Sequence, residues 1–447
     1  MMVLLKSGSE FRTKIKSRTN KLKMQLMKNS RRGTKSRKSI NNIKGQIKTL
    51  VNTKNIKDTK TLISISRTLF LSKNYIQARD LLKIFYNTIL ISDANFKEIS
   101  NSIIPFGKLG HSGSKIGISR NNSNQVIKLF LNKIDINTEF IVQDCLKISN
   151  RFNEIFINFI ITHLDKLISI PPNEFKKVKY HSLPLLDYGI SNLGSYITIP
   201  LIGLPEHPYT NTNPGKFITN LRELLELNHK EYLERAFKEN RNDILEEYDK
   251  FMAIKIAEYI DVIRILQNRL TYFNSDIKLT NIFIKKDNKK YNNITTKEKT
   301  LEDWGFITNF KCIISDLEKS SIVINELKIT TLPRSQLKIT IARLIDKGLI
   351  YDLRYGCKME MKKCPMLDIM DIDILTLIID YYAFMLRINS EFISRMSIIK
   401  TMFKKYIESN LLNEIQVILE KGKYKIDKNY SYIIGNILQT LCSKIKI

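Results

Sequence analysis

Four short segments of this 447-residue chain carry residue types and spacings suited to chemistry, and all four suit phosphate. The first runs from Phe106 to Ile116, with Gly107, Gly110 and Gly113 at spacing three. Such glycines let backbone amides meet phosphate oxygens with no Cβ in the way, although an ordinary turn between strands reads the same. The second is Val126-Ile127-Lys128, with the lysine fifteen residues after Gly113. A lysine in a short β-branched run is commonly a solvated strand residue; behind a glycine-rich loop it can instead hold nucleotide phosphates. The third is the stretch Asn274 to Ile284, which brings Asp276, Lys278 and Asn281 onto one loop. The carboxylate can orient an attacking hydroxyl and accept its proton. The ammonium can offset charge on the transferring phosphoryl, and the amide carbonyl can ligate a divalent ion. The plainer alternative is a polar loop closing a helix. The fourth, Cys312 to Glu318, sets Asp316 at the end of an apolar run, a good position for Mg²⁺ or for a simple strand-end turn.

Elements must position those residues, and the patterning predicts them. Leu62, Ile65 and Leu69, then Ala78, Leu81, Leu82 and Phe85, fall at helical spacing and predict two short helices within residues 61–100. From Ile104 the texture changes to a glycine-rich loop and short β-branched runs, Gln125–Phe130 and Ser195–Ile199, which predict strands. Residues 216–270 read as helical, with Phe251, Ile256, Ile260, Ile263, Leu266 and Leu270 on one apolar stripe. Residues 282–284 and 312–315 predict further strands, separated by a polar insert from Lys285 to Thr300, and the chain after Met366 reads as helical. A β-rich portion followed by a helical portion implies an α+β fold in two lobes.

Composition narrows the function classes. A hydrophobic fraction of 43% with 26% charged residues fits a folded chain, and 16 Gly with 10 Pro exclude collagen-like or linker architectures. Five cysteines (Cys145, Cys312, Cys357, Cys364 and Cys442) without a C-x-x-C pair, beside only five His, argue against zinc and for a reducing, intracellular setting. No apolar run reaches bilayer length, since Ile369–Ile388 is interrupted by Asp371, Asp373 and Asp380, and no secretory signal follows Met1–Leu5. The net charge is +29, and residues 1–60 hold 18 Lys/Arg against Glu10 and Asp58 alone. That segment reads as a flexible basic arm. It is suited either to plain solvation or to contacting nucleic acid, an anionic surface or an acidic partner. With Phe11 its only aromatic residue, any nucleic-acid contact would be to phosphates rather than by stacking. The run Arg31 to Lys38 also fits a nuclear localisation cluster, and its Ser and Thr residues could be autophosphorylated.

Taken in chain order, the four segments resemble the signature set of eukaryotic-type protein kinases over about Ile104 to Phe384. The chain is similar in particular to the divergent serine/threonine kinases of poxviruses and other large DNA viruses. The shared features are the loop ending Asn281-Ile282-Phe283, an acid closing the metal turn, and a hinge strand Tyr196 to Leu201. The resemblance implies a protein-kinase-like domain over 104–447 behind the arm (1–60) and a helical extension (61–103). Its small β-rich lobe would span about 104–203 and its larger helical lobe about 204–447, with inserts near 204–250 and 285–300. The implied cofactors are ATP with Mg²⁺ or Mn²⁺, and the implied substrate is a protein Ser or Thr, favoured by Lys278 two residues after Asp276. Gly107, Gly110 and Gly113 would cover the phosphates and Lys128 would hold them, partnered by Glu154 with Glu139 as the alternative. Asp276 would be the catalytic base and Lys278 the phosphoryl-side cation. Asn281 and Asp316 would ligate the metal, and Asp373 or Asp380 would anchor the lower lobe. Host cytoplasm, virion or nucleus are the implied locations.

The departures define a competing reading. Asn274 stands where the pattern has His or Tyr, which predicts a looser support for the catalytic loop. Glu318 stands where it has Gly, which predicts reduced backbone freedom in the metal turn. The first two glycines are one residue too far apart, and Cys364-Pro365-Met366 is the nearest approach to an A-P-E segment. On that reading the chain is a pseudokinase or basic scaffold that binds nucleic acid or an acidic partner without turnover.

Overall fold

The computed structural model describes residues 59–72, 75–105, 114–131, 145–148, 150–207, 216–274, 276–287, 296–324, 327–331, 369–389, 391–407 and 409–422. It is a mixed α+β structure. Among the described residues three helices come first, α1 (Thr59–Leu71), α2 (Tyr75–Thr88) and α3 (Asp93–Asn101), where the periodicity within 61–100 predicts two. Ser92 starts α3 by accepting the Asn95 amide on its side chain, a cap that the short polar run before Phe96 conceals.

A five-stranded antiparallel sheet follows, in the order β1 (Ile103–Pro105), β2 (Ser114–Ser119), β3 (Asn122–Phe130), β6 (Gly194–Pro200), β5 (Asp187–Ser191). Its strand period of two sorts the residues of β3. Ile127 and Leu129 join Phe96, Ile103 and Tyr196 under one face, whereas Val126 joins the main core on the other. Lys128 therefore shares the face of Val126. That face is covered by α4 (Asn150–Thr162), which is entered from β4 (Cys145–Ile148). Phe152, Phe156 and Phe159 make one stripe of α4, and all three rings meet Phe85 of α2, with centroids 5.9, 5.4 and 5.2 Å away. Helices α1 and α2, from Leu62 to Tyr86, thus share a core with the helix behind the sheet, whereas Phe96 of α3 packs on the other face.

The helical portion is organised on α5 (Asn242–Leu270), 29 residues long, whose predicted stripe is buried throughout. It stops at Thr271, which turns left-handed at φ 47°. The predicted helical stretch 216–270 opens instead with strand β8 (Lys216–Ile218) paired to β7 (Leu204–His207), because Lys-Phe-Ile is too short and β-prone to begin a helix. A two-stranded hairpin β9 (Ile282–Lys286) and β10 (Phe310–Ile314) comes next, pairing Ile282 with Ile314 and Lys286 with Phe310. The polar insert between them is partly regular: β9 continues to Lys286, and α6 (Thr296–Asp303) caps the far end. After β10, β11 (Ile322–Ile324) and β12 (Leu327–Thr331) form a sheet with β4, in which β12 and β4 run parallel. Helix α7 (Ile369–Ile388) closes the core under the 272–281 loop. Among the described residues no helix is long and apolar enough to cross a membrane.

Candidate functional site

Lys128 and Glu154 lie 26 residues apart in sequence and meet where β3 and α4 face each other. Glu154 sits two positions beyond Phe152, so it projects from the side of α4 opposite the aromatic stripe and toward the sheet. Lys128 Nζ donates to Glu154 Oε1 at 2.8 Å and Oε2 at 3.1 Å, and lies 3.5 Å from Asp316 Oδ1. Burial alone would lower the Lys128 pKa, but the carboxylates of Glu154, Asp316 and Glu318 outweigh it and hold the ammonium protonated. Burial pushes the Glu154 carboxyl upward, opposed by Lys128. Burial and then Asp316 push Glu318 upward too. Three carboxylates crowd one ammonium here, and a cation or a basic ligand group would relieve the crowding.

The β9–β10 register builds the second half of the site. Because Ile282 pairs with Ile314, the residues just outside the pair, Asn281 and Ser315, are brought side by side, and Ser315 Oγ donates to the Asn281 carbonyl at 2.5 Å. Asp316 follows in the left-handed region at φ 52°, ψ 56°. An L-residue held there costs on the order of 1 kcal/mol, least for Asp and Asn, and marks a place where the backbone is dictated from outside. Glu318 has no positive φ among the described backbone, so the glycine expected at that position is not required. The residue needing backbone freedom is Asp316, and Leu317–Lys319 complete the turn as a 3₁₀ helix.

Asp276 is 4% exposed at its side chain, and its carboxylate is bracketed by two ammonium groups. Lys278 Nζ lies 3.5 Å from Oδ1, and Lys319 Nζ 2.5 Å from Oδ2. Asn281 Nδ2 donates to the Asp276 carbonyl at 2.9 Å and to Oδ2 at 3.1 Å. A carbonyl can only accept, so the amide orientation of Asn281 is fixed and its own Oδ1 is the end left for a cation. The loop itself is held from beneath. Asp373 Oδ2 accepts the Asn274 amide at 2.7 Å, and Asp380 Oδ2 accepts the Leu279 amide at 2.6 Å, so the two anchoring candidates on α7 divide the task. Asn274 does not loosen the loop as expected. Its side chain donates to Tyr272 Oη at 2.8 Å and accepts the Asp276 amide at 3.2 Å, and Tyr272 Oη in turn meets Ser320 Oγ at 3.1 Å.

Of the predicted site residues, the structure brings together Lys128, Glu154 and Asp316, and separately Asp276, Lys278 and Asn281 around one carboxylate. Gly107, Gly110, Gly113, the alternative partner Glu139, the segment Cys364–Met366 and most of the basic arm lie outside the described residues. Two residues escaped the sequence reading. Asn153 donates to the carbonyls of Leu317, Glu318 and Ser320 at 3.1, 3.1 and 2.8 Å, tying α4 to the turn that follows Asp316. Its position beside Glu154 is the only sequence signal for it. Lys319 offers none, being one lysine among many. Among the described residues no three His, Cys, Asp or Glu side chains converge to hold an ion by themselves. Asp316 and Asn281 Oδ1 are the oxygens that could each take a cation, with phosphate oxygens and water completing its shell. Compared with known proteins, no family model matches the chain and no curated protein matches it.

Proposed function

We propose that this chain is an ATP-dependent phosphotransferase of the two-lobed protein-kinase type, passing the γ-phosphoryl group to a serine or threonine hydroxyl of a protein. One observation carries the reading: an ammonium paired to a helix carboxylate, Lys128 with Glu154, lies 3.5 Å from a strand-end aspartate whose neighbour Lys319 contacts the loop carboxylate Asp276. Five residues from four separate segments of the chain thus form one charge array, the arrangement phosphoryl transfer needs for positioning and charge stabilisation.

In this reading Lys128 holds the α- and β-phosphates, oriented by Glu154. Asp316 and Asn281 Oδ1 would hold a divalent cation, which would supply charge neutralisation along the phosphate chain. Asp276 orients the acceptor hydroxyl and takes its proton as the phosphoryl group departs. Lys278, 3.5 Å from Asp276, stands where charge develops on the transferring group. The viral serine/threonine kinases are the subgroup the motifs favour.

The test is transfer of labelled γ-phosphate from ATP, with Mg²⁺ or Mn²⁺, to the chain itself and to a basic Ser/Thr peptide. Wild type should transfer, Asp276→Asn should not, and Lys128→Met should lose nucleotide affinity. Transfer retained in Asp276→Asn would overturn the assignment of the base. No transfer in wild type that still binds nucleotide would overturn the enzyme reading and favour a binding protein.

A further inference from the structure

The third cation of the site has no counterpart in the resemblance and is placed with more care than a solvated lysine needs. Lys319 Nζ sits 2.5 Å from Asp276 Oδ2, its side chain 23% exposed against 4% for the aspartate. Its backbone is immobilised on every side. Asn153 holds the carbonyls of Leu317, Glu318 and Ser320. The Ser320 amide donates to the Leu317 carbonyl, and Ser320 Oγ meets Tyr272. Immediately after, Ser321 and Phe273 exchange two backbone hydrogen bonds of 2.7 and 2.9 Å. The lysine therefore projects from a fixed platform that belongs to the metal turn, across to a carboxylate that belongs to the catalytic loop.

This contact has a consequence for which oxygen of Asp276 can work. Oδ2 accepts from Lys319 and Asn281, whereas among the described residues Oδ1 has Lys278 near it, at 3.5 Å, and no hydrogen-bond donor closer. A carboxylate held at one oxygen by a charge-assisted bond and an amide is fixed in orientation, and its other oxygen faces Lys278.

We infer that Lys319 is a positioning residue for Asp276: it locks the carboxylate through Oδ2, leaves Oδ1 to receive the proton of the acceptor hydroxyl, and ties the base to the metal turn. This rests on the phosphotransferase reading. The turn is held without the lysine's side chain, because Asn153 and the Ser321–Phe273 pair bond its backbone independently.

The experiment compares wild type, Lys319→Met, Lys319→Arg, Asp276→Asn and the Asp276→Asn/Lys319→Met double variant of the full chain. It measures kcat and the KM for ATP with the basic Ser/Thr peptide, together with binding of a fluorescent ATP analogue. Lys319→Met should lower kcat about tenfold to a hundredfold, the scale of a base displaced by about an ångström, with ATP KM and analogue affinity unchanged. Lys319→Arg should recover most of that loss. In the Asp276→Asn background, Lys319→Met should have no further effect on residual transfer, because there is no carboxylate left to position. A Lys319→Met rate within about twofold of wild type overturns the inference. So does an equal loss of kcat and nucleotide affinity, which would mean that the lysine supports the metal turn. Wild type that transfers nothing would instead overturn the phosphotransferase reading on which the inference stands, so the two failures are told apart by the wild-type rate.

Discussion

The two halves of the candidate site are held by opposite means. The Lys128–Glu154 pair is positioned by packing: α4 is fixed by three phenylalanine rings against Phe85 of α2, and its charged residues ride on the other side. The Asp276 loop is positioned by polarity: buried Asp373 and Asp380 accept backbone amides, and Asn274, Tyr272 and Ser320 form a hydrogen-bond chain beneath it. Packing is non-directional and yields gradually as atoms are removed. Hydrogen bonds to buried carboxylates are directional, and losing one partner strands the other. The upper half is therefore tuned by volume and the lower half by which atoms remain bonded.

The largest effects should separate chemistry from framework. Asp276→Asn should lower transfer by about 10²- to 10⁴-fold, the range of general-base catalysis, with the fold and nucleotide binding retained. Phe85→Ala removes a ring that is 0% exposed and packs on the aromatic stripe of α4. It should cost about 3–5 kcal/mol of stability through the cavity it leaves. It should also weaken nucleotide affinity, because α4 loses the surface that sets its height over Lys128. Chemical denaturation and analogue binding check both. A Phe85→Ala protein with full stability would mean that α4 is placed by something other than α2.

His229 offers a pH test of buried polar contacts elsewhere in the helical portion. It is fully buried, and burial pushes its pKa down from 6.5 to about 4. Its Nε2 lies 3.0 Å from the Ile307 carbonyl, so that nitrogen carries the proton, and Nδ1 accepts from Tyr248 at 3.1 Å. Between pH 6.5 and about 4 the unfolded chain binds a proton that the folded chain refuses. Stability should therefore fall as pH is lowered through that window, by up to about 3 kcal/mol. His229→Gln should flatten this part of the stability–pH curve while costing stability at pH 7. An unchanged slope would show that the acid sensitivity belongs to other groups.

The anchoring aspartates should have smaller and unequal effects. Asp373→Ala strands the Asn274 amide, and Asp380→Ala the Leu279 amide, each at about 1–3 kcal/mol. Asp380 also lies 4.0 Å from Arg222 Nη1, so its removal leaves that guanidinium short of a partner. Asp373 is nearer the base in the chain of bonds through Asn274, so Asp373→Ala should lower kcat more than Asp380→Ala does, measured under identical peptide and ATP concentrations.

How far the sequence reveals this site depends on the range over which each part is encoded. The strand alternation around Lys128 and the helical spacing around Glu154 are local, and they suffice to face the two residues toward each other. The Asp276–Lys278–Asn281 loop is local too, since a helix end and a following strand bracket it. The third helix at Asp93–Asn101 is concealed because a serine cap and one buried residue, Phe96, give almost no periodicity. Asn153 and Lys319 are concealed for a different reason. Each works through backbone or side-chain atoms more than 40 residues away, and neither type nor spacing records such a contact.

The smallest effect sharpens the comparison at the seam between the halves. Glu318 stands where the kinase pattern has glycine, yet it lies in a 3₁₀ turn without a positive φ. Restoring the glycine should not improve the turn; Glu318→Gly should cost roughly 0.5–1 kcal/mol, the conformational entropy of glycine in a regular segment. The charge is a separate matter. Burial, then Asp316, raise the Glu318 carboxyl, so the folded chain holds its proton to higher pH than the unfolded chain does. Folding is then disfavoured by this group once pH exceeds the ordinary carboxylate range. Glu318→Gln should melt at a higher temperature than wild type at pH 7, with the gain shrinking as pH approaches 4.5. Thermal melts of the glycine and glutamine variants at pH 5 and pH 8 separate the two contributions. A Glu318→Gly variant that gains stability equally at both pH values would mean that backbone strain, not carboxylate crowding, is the burden this residue places on the turn.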